Sequence, residues 1–299
     1  MSKLVAGINT CFAVKRWPRV ADWAAIVRDE LGLSTVQLSM DCLPIGPPAA
    51  PGALSTAAGV ARTGIEVHSV FTGLGAYGSN LLLHPDREAR DAAQEYYEGL
   101  ITVAAAAGAQ HAGGHVGAFS IADAAQPARV ASLSRELIDR MGELAEFAAE
   151  RGLRGMLFEN LAVVREPGAT AAEAKALERD LVGTAVPWRL CLDVGHPVAM
   201  SGPGDPDPLR EWLDDDWLLP PVVQLQQAQP GADNHGGFGA PGRGGVDLGA
   251  VVSAVNEWRS SPDPLFLEVI PAHEADDASV LRELVESVEA LRCEIEAVS

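Results

Sequence analysis

The nonapeptide Arg189-Leu190-Cys191-Leu192-Asp193-Val194-Gly195-His196-Pro197 decides the fold. Its apolar run is too short for a helix, and Gly195 and Pro197 follow at once. It therefore reads as a buried strand that stops at an acid. Asp193 has an ordinary role open to it there, because aspartate caps helices well. The recurrence of the device argues for more. Phe158-Glu159-Asn160 and Phe266-Leu267-Glu268 also end apolar runs in acids.

Outward from this stretch, apolar runs and helical spacing alternate along the whole chain. Strands are expected at 4–8, 35–39, 65–70, 110–114, 153–158, 189–192, 222–226 and 265–269. Helices are expected at 20–31, 54–62, 86–107, 130–151, 171–182, 205–217, 246–258 and 275–297. Trp23, Ile26, Val27 and Leu31 share one helical side, and Gly108 stands where a helix C-terminus wants a glycine. Asp214, Asp215 and Asp216 read as a solvated face, and 230–245 as a glycine-rich loop. Eight strand–helix pairs without a linker predict a single (β/α)8 TIM barrel domain over residues 1–299. A dinucleotide-binding sheet would need a glycine fingerprint after the first strand, and Asn9-Thr10-Cys11-Phe12 offers none.

Composition narrows the function. The 299 residues are 47% hydrophobic and 21% charged, enough for a large core. The formal net charge of −19 repels phosphate backbones, so nucleic acid is not an expected partner. Cys11, Cys42, Cys191 and Cys293 lack close spacing and read as reduced thiols of a cytoplasmic protein. The start lacks a long apolar segment of the secretory kind, and no run approaches the ~20 apolar residues that span a membrane.

In a barrel of this type, chemistry gathers where strands open into the following loops. Those ends are polar here. They carry His68 on strand three, His115 after four, Glu159 on five, Asp193 on six, Gln224 and Gln226 on seven, and Glu268 on eight. His196 and His235 follow in the next loops. Three carboxylates on one rim repel one another unless a cation joins them. An oxygen-rich set of this kind suits Mg²⁺ or Mn²⁺ better than a thiolate-loving metal. His68 reads either as packing or as a substrate contact. The glycines around His115 let a ligand approach closely, which favours substrate contact. Lys15, Arg16 and Arg243 lie in loops on the same face, where they read either as phosphate ligands or as solvated charges. Arg165 and Glu166 read as a loop ion pair of little weight.

Glu159-Asn160, Leu192-Asp193-Val194-Gly195-His196, the strand-seven polar pair and Leu267-Glu268 together resemble the xylose isomerase-like barrel superfamily. Phe71-Thr72-Gly73, Gly113-Gly114-His115 and Gln224-Leu225-Gln226-Gln227 are most similar to its tetrulose phosphate epimerases. The resemblance implies that Glu159, Asp193, Gln224 and Glu268 hold a divalent ion, Mn²⁺ or Mg²⁺. It implies that Glu159 and Glu268 are the catalytic carboxylates. His68, His115, His196, Gln226, His235 and Arg243 are the candidate substrate contacts by their positions, and His196 reads equally as a metal ligand or as a group that orients one. Gln224 departs from the histidine common at its place, which weakens a metal ligand. Asp233-Asn234-His235 resembles the zinc-binding motif of the DNA-repair branch, which the acidic balance opposes. The expected activity is epimerisation or isomerisation of a small ketose or ketose phosphate through an enediolate. A dehydratase and a non-catalytic sugar-binding barrel are the alternatives. Barrels of this type often dimerise, so a homodimer is one assembly open to the chain.

Overall fold

The computed structural model describes residues 4–202, 207–214, 217–239, 244–258 and 264–299. Ten strands occur among them: β1 Ala6–Asn9, β2 Thr35–Ser39, β3 Glu66–Phe71, β4 His111–Gly114, β5 Gly155–Glu159, β6 Trp188–Asp193, β7 Val222–Leu225, β8 Gln227–Gln229, β9 Ala232–Gly236 and β10 Leu265–Leu267. Eight of them close into a barrel in the order β1-β10-β7-β6-β5-β4-β3-β2, with every neighbour parallel. The chain is a single (β/α)8 barrel.

Alternation along each strand builds two apolar layers. Leu190, Leu192, Val223, Leu225, Leu265 and Leu267 join the large cluster shared with the surrounding helices. Cys191, Val222 and Phe266, one residue out of step, join Phe71 and Leu157 in a separate small cluster inside the barrel. The inward series that includes Cys191 and Phe266 continues to Asp193 and Glu268. That parity carries the acids over the barrel's C-terminal mouth.

The strands are held close together. A Cβ at Gly113 on β4 would lie 1.9 Å from the carbonyl oxygen of Leu157 on β5. The long outer helices are Arg87–Ala107, Pro127–Glu150 and Asp277–Ala297. Gly108 ends the first of them at φ 77°, the left-handed geometry that glycine adopts freely. No described helix is long and apolar enough to cross a membrane.

Three local expectations are corrected. The stretch after Asp193 is a short helix, Gly195–Met200, not a loop. Part of the presumed loop after strand seven is an antiparallel hairpin of β8 and β9. The acidic helix expected at 205–217 is reduced, among the described residues, to Arg210–Leu213, and Asp205, Asp215 and Asp216 lie outside them.

Candidate active site

The strand ends converge on a cavity of about 220 Å³ whose wall includes Asn9, His115, Glu159, His196, His235 and Glu268. Glu159 is the last residue of β5 and Asp193 the last of β6. Glu268 follows β10, and Gln226 sits between β7 and β8. Asp193 and Gln226 are fully buried beneath that wall.

Asp193 is fixed from several directions. Asn160 donates from Nδ2 to the Asp193 carbonyl at 2.9 Å and accepts the Asp193 N–H on Oδ1 at 2.8 Å. The side chain of Asp193 uses Oδ1 to accept the backbone N–H groups of Gly195 and His196 at 2.7 and 3.3 Å. It therefore satisfies first-turn N–H groups of the helix Gly195–Met200 from one position before its N-cap, Val194. Its other oxygen, Oδ2, accepts from Gln226 Nε2 at 3.2 Å. One carboxylate serves both the fold and the site.

His196 and His235 approach from the loops. Nδ1 of His196 lies 2.5 Å from the carbonyl oxygen of Asn160, and its Nε2 lies 3.3 Å from Asp233 Oδ2. The β8–β9 hairpin folds back over the mouth and delivers Asp233 and His235. Gln226 ties it down, donating to Asp233 Oδ1 at 2.9 Å and accepting the His235 N–H at 2.8 Å. His235 holds φ 45°, an uncommon conformation outside glycine, and its ring Nε2 lies 3.2 Å from Asp233 Oδ2.

The electrostatics are those of crowded acids. Burial first, with Asp193, Glu166 and Asp233 adding to it, pushes the Glu159 carboxyl up to about 8, against the opposing pull of His196. Burial and the neighbouring Glu159 and Asp193 hold the Glu268 carboxyl well above its ordinary value. Burial disfavours a charge on His196, but Asp193, Asp233 and Glu159 outweigh it and hold the imidazole well above its usual range.

Potential ligand atoms of Glu159, Asp193 and His196 lie within 4.8 Å of one another, as do those of Asp193, His235 and Glu268, and of His196, Asp233 and His235. Glu268 Oε2 and His235 Nδ1 are buried without a hydrogen-bond partner. Such orphaned atoms beside repelling carboxylates fit a divalent cation. The oxygen donors come mainly from the acids, with imidazole nitrogen beside them.

Gln224 is not part of this cluster. It accepts the Cys191 thiol on Oε1 at 3.2 Å and donates to Gln37 at 2.8 Å, one layer deeper in the barrel. Gln226, just past the end of β7, is the glutamine that reaches the carboxylates, donating to Asp193 and Asp233. His68 is corrected as well. It lies inside β3, where the register with β2 slips between Val36 and Gln37. Its ring stacks on His111 at 4.9 Å and tilts against Phe266 at 5.4 Å, away from the cavity wall.

His115 does reach the wall, with Nδ1 3.1 Å from Thr72 Oγ1 and a buried, unpartnered Nε2. Arg243 lies outside the described residues. Arg16 is engaged by Asp277 and the Ala272 carbonyl, both at 2.6 Å. The expected Arg165–Glu166 pair is replaced by two separate anchors. Arg165 donates to the Phe119 carbonyl, and Glu166 Oε1 accepts the Gly117 N–H at 3.1 Å.

Sequence reading gave no role to Asn9, Gln37 or Tyr77. Asn9 carried a signal in hindsight, a polar residue closing an apolar strand. Tyr77 lies in a four-residue helical turn, Leu74–Tyr77, with no periodic pattern to mark it.

Residues 24–291 match the family described as xylose isomerase-like TIM barrel. A relative from Brucella abortus (strain 2308), D-erythrulose 1-phosphate 3-epimerase, is 29% identical over 76% of this chain and 74% of its own. A protein of Rhodospirillum rubrum ATCC 11170, provisionally named a xylose isomerase, superposes with a TM-score of 0.88 at 31% identity, over 98% of this chain and 99% of that one. D-psicose 3-epimerase from Clostridium cellulolyticum H10 shares the fold at 15% identity, with a TM-score of 0.70 over 98% of this chain and 99% of its own. The chain is an enzyme of the isomerase class. By its barrel, the acids at its mouth and the match along most of its length, it belongs to the xylose isomerase-like TIM barrel family.

Proposed function

We propose that this chain is a metal-dependent 3-epimerase of a small ketose phosphate, with a tetrulose phosphate as the favoured substrate. One observation carries the reading. Glu159 and Glu268 face one cavity from β5 and β10, strands separated in the barrel by β6 and β7. Two carboxyl groups set across a small cavity suit removal of a proton from one face of a carbon and its return to the other. The cavity of about 220 Å³ suits a molecule of a few carbons, since drug-sized ligands fill ~300–1,000 Å³. The Brucella relative's name supports the phosphate and the chain length.

Glu159, Asp193 and Glu268 would hold the cation, with Gln226 and His235 beside them. A bound divalent cation, Mn²⁺ or Mg²⁺, supplies Lewis-acid polarisation of the substrate's oxygens. Glu159 or Glu268 takes the proton from the carbon next to the carbonyl, and the other returns one to the opposite face. His115 Nε2 meets a substrate oxygen from the wall, with Nδ1 engaged by Thr72. His196 keeps its charge among Asp193, Asp233 and Glu159, which offsets the negative field into which the substrate must enter. Leu74, Tyr77, Leu161 and Ile270 line the cavity and give it an apolar side.

The test is proton NMR in deuterium oxide with erythrulose phosphate and Mg²⁺. The signal of the hydrogen on the carbon next to the carbonyl should disappear with the wild-type protein and persist with Glu159→Gln. Absence of exchange across a panel of ketoses and their phosphates would overturn the epimerase reading.

A further inference from the structure

Beneath the cavity the barrel interior holds a buried chain of amides. The backbone N–H of Cys11 donates to Asn9 Oδ1 at 3.0 Å. A backbone N–H can only donate, so this contact fixes which end of the Asn9 amide is oxygen. Asn9 Nδ2 must then face the other way. It donates one hydrogen to Glu268 Oε1 at 2.7 Å and the second to Gln37 Oε1 at 2.8 Å. Gln37 Oε1 also accepts from Gln224 Nε2 at 2.8 Å, and Gln37 Nε2 donates to Ser69 Oγ at 3.2 Å. Asn9, Gln37, Ser69 and Gln224 are each 1% exposed or less. Register places Gln37 between them, opposite Asn9 on β1 and Ser69 on β3.

The result is an asymmetric carboxyl group. Oε1 of Glu268 is held by Asn9, while Oε2 is buried with no hydrogen-bond partner. We propose that Gln37 is a positioning residue for Glu268: by accepting the second Asn9 hydrogen it locks the amide that holds Oε1, and so reserves Oε2 for the cation or the substrate proton. Gln37 itself does not line the cavity. Without its acceptor oxygen, Asn9 would keep a buried unpaired N–H or turn to share its hydrogens, and Glu268 would lose its fixed orientation. What Oε2 does rests on the epimerase reading. How Oε1 is held rests on the structure alone.

The test measures Mn²⁺ binding by calorimetry for the wild-type protein, Gln37→Met, Gln37→Glu and Ser69→Ala, with folding checked by circular dichroism. Residues that orient metal ligands typically change affinity by about 10–100-fold. Gln37→Met, which removes the acceptor at similar volume, should weaken Mn²⁺ by that factor. Gln37→Glu, which retains acceptor oxygens, should bind at least as tightly as wild type. Ser69→Ala removes the acceptor of Gln37 Nε2 and leaves its Oε1 contacts in place, so it should stay well short of that factor, within about threefold. If Gln37→Met does not fold, Gln37→Asn withdraws the same oxygen with less loss of polarity. Wild-type affinity in the acceptor-removing variant, or equal weakening in Ser69→Ala, would overturn the proposal. Because no ketose enters these titrations, a protein that shows the affinity pattern yet exchanges no ketose hydrogen would sink the epimerase reading and leave the assignment of Gln37 standing.

Discussion

The side chain of Asn160 pairs with both peptide groups of Asp193, across the ends of two neighbouring strands. An amide does here what one more pair of ladder hydrogen bonds would do. It extends the β5–β6 contact past the last strand residue and sets the acid that the site is built on. The backbone of Asn160 contributes again by accepting from His196. Residue 160 therefore fixes both the acid and the imidazole that follows it.

Asn160→Ala should be costly for stability and for activity together. It leaves a buried N–H and a buried carbonyl unpaired at Asp193, each worth about 1–3 kcal/mol. A loss of roughly 2–6 kcal/mol in urea unfolding is expected on that arithmetic. The variant should also bind Mn²⁺ more weakly. A change below about 0.5 kcal/mol, the range of ordinary surface substitutions, would show that Gly195, His196 and Gln226 suffice to hold Asp193.

Much of this was legible in the sequence, and the reason is parity. A strand that buries every other residue in a closed interior must show that spacing, so Asp193, Glu159 and Glu268 could be placed at the mouth from pattern alone. Hairpins and registers are set by contacts distant in sequence, and there pattern is silent. The β8–β9 hairpin hides in a run of Gln, Gly, Pro and Asp that looks like loop. The difference between Gln224 and Gln226 has the same origin. Both glutamines point inward, and only depth in the barrel tells which one meets the acids. His68 departs from expectation because a register slip between β2 and β3, invisible in one strand's sequence, turns its ring toward His111.

That histidine pair makes stability depend on acid. Burial, with His111 beside it, lowers the His68 imidazole from its ordinary value to about 3. The folded protein therefore binds fewer protons here than the unfolded chain between about pH 3 and 6.5. The contribution of this group is complete above pH 6.5 and is lost as pH falls. At pH 5 the loss amounts to about 2 kcal/mol, from 1.36 kcal/mol per pH unit below 6.5. His68→Phe keeps a ring against His111 and Phe266 but cannot protonate. Urea unfolding at pH 7 and pH 5 should show a smaller drop for the variant than for the wild type. Equal drops would mean that His68 titrates normally in the folded protein.

Two glycines should respond in opposite ways to alanine. Gly113 has no room, because its Cβ would meet the Leu157 carbonyl at 1.9 Å, and backbone in a closed barrel cannot step aside cheaply. Gly113→Ala should lose at least about 3 kcal/mol or fail to fold. Gly142 stands inside the helix Pro127–Glu150, and a methyl group added there would meet nothing within 4 Å. Gly142→Ala should stabilise by about 0.5–1 kcal/mol, the helix-propensity difference between the two residues. Thermal melting of both variants decides the matter, and a stable Gly113→Ala protein would mean that β4 and β5 can separate at little cost.

Cation binding should stabilise the fold as well as equip it. Glu159, Asp193 and Glu268 repel one another in a buried space, and that repulsion stands against folding until a cation joins them. A ligand that binds only the folded state adds about 2.7 kcal/mol when present at one hundred times its dissociation constant. For a chain of this size that corresponds to a rise in melting temperature on the order of 5–10 °C, at roughly 2–4 °C per kcal/mol. The rise should appear on adding Mn²⁺ to chelator-treated protein and vanish again with excess chelator. Asp193→Asn removes one charge from the centre of the cluster. Because the carboxylate also accepts three hydrogen bonds and holds the charge of buried His196, the substitution should lower the melting temperature of the cation-free protein while abolishing most of the cation's increment. A variant that gains the full increment would place the cation away from Asp193, on the His196, Asp233 and His235 group at the hairpin.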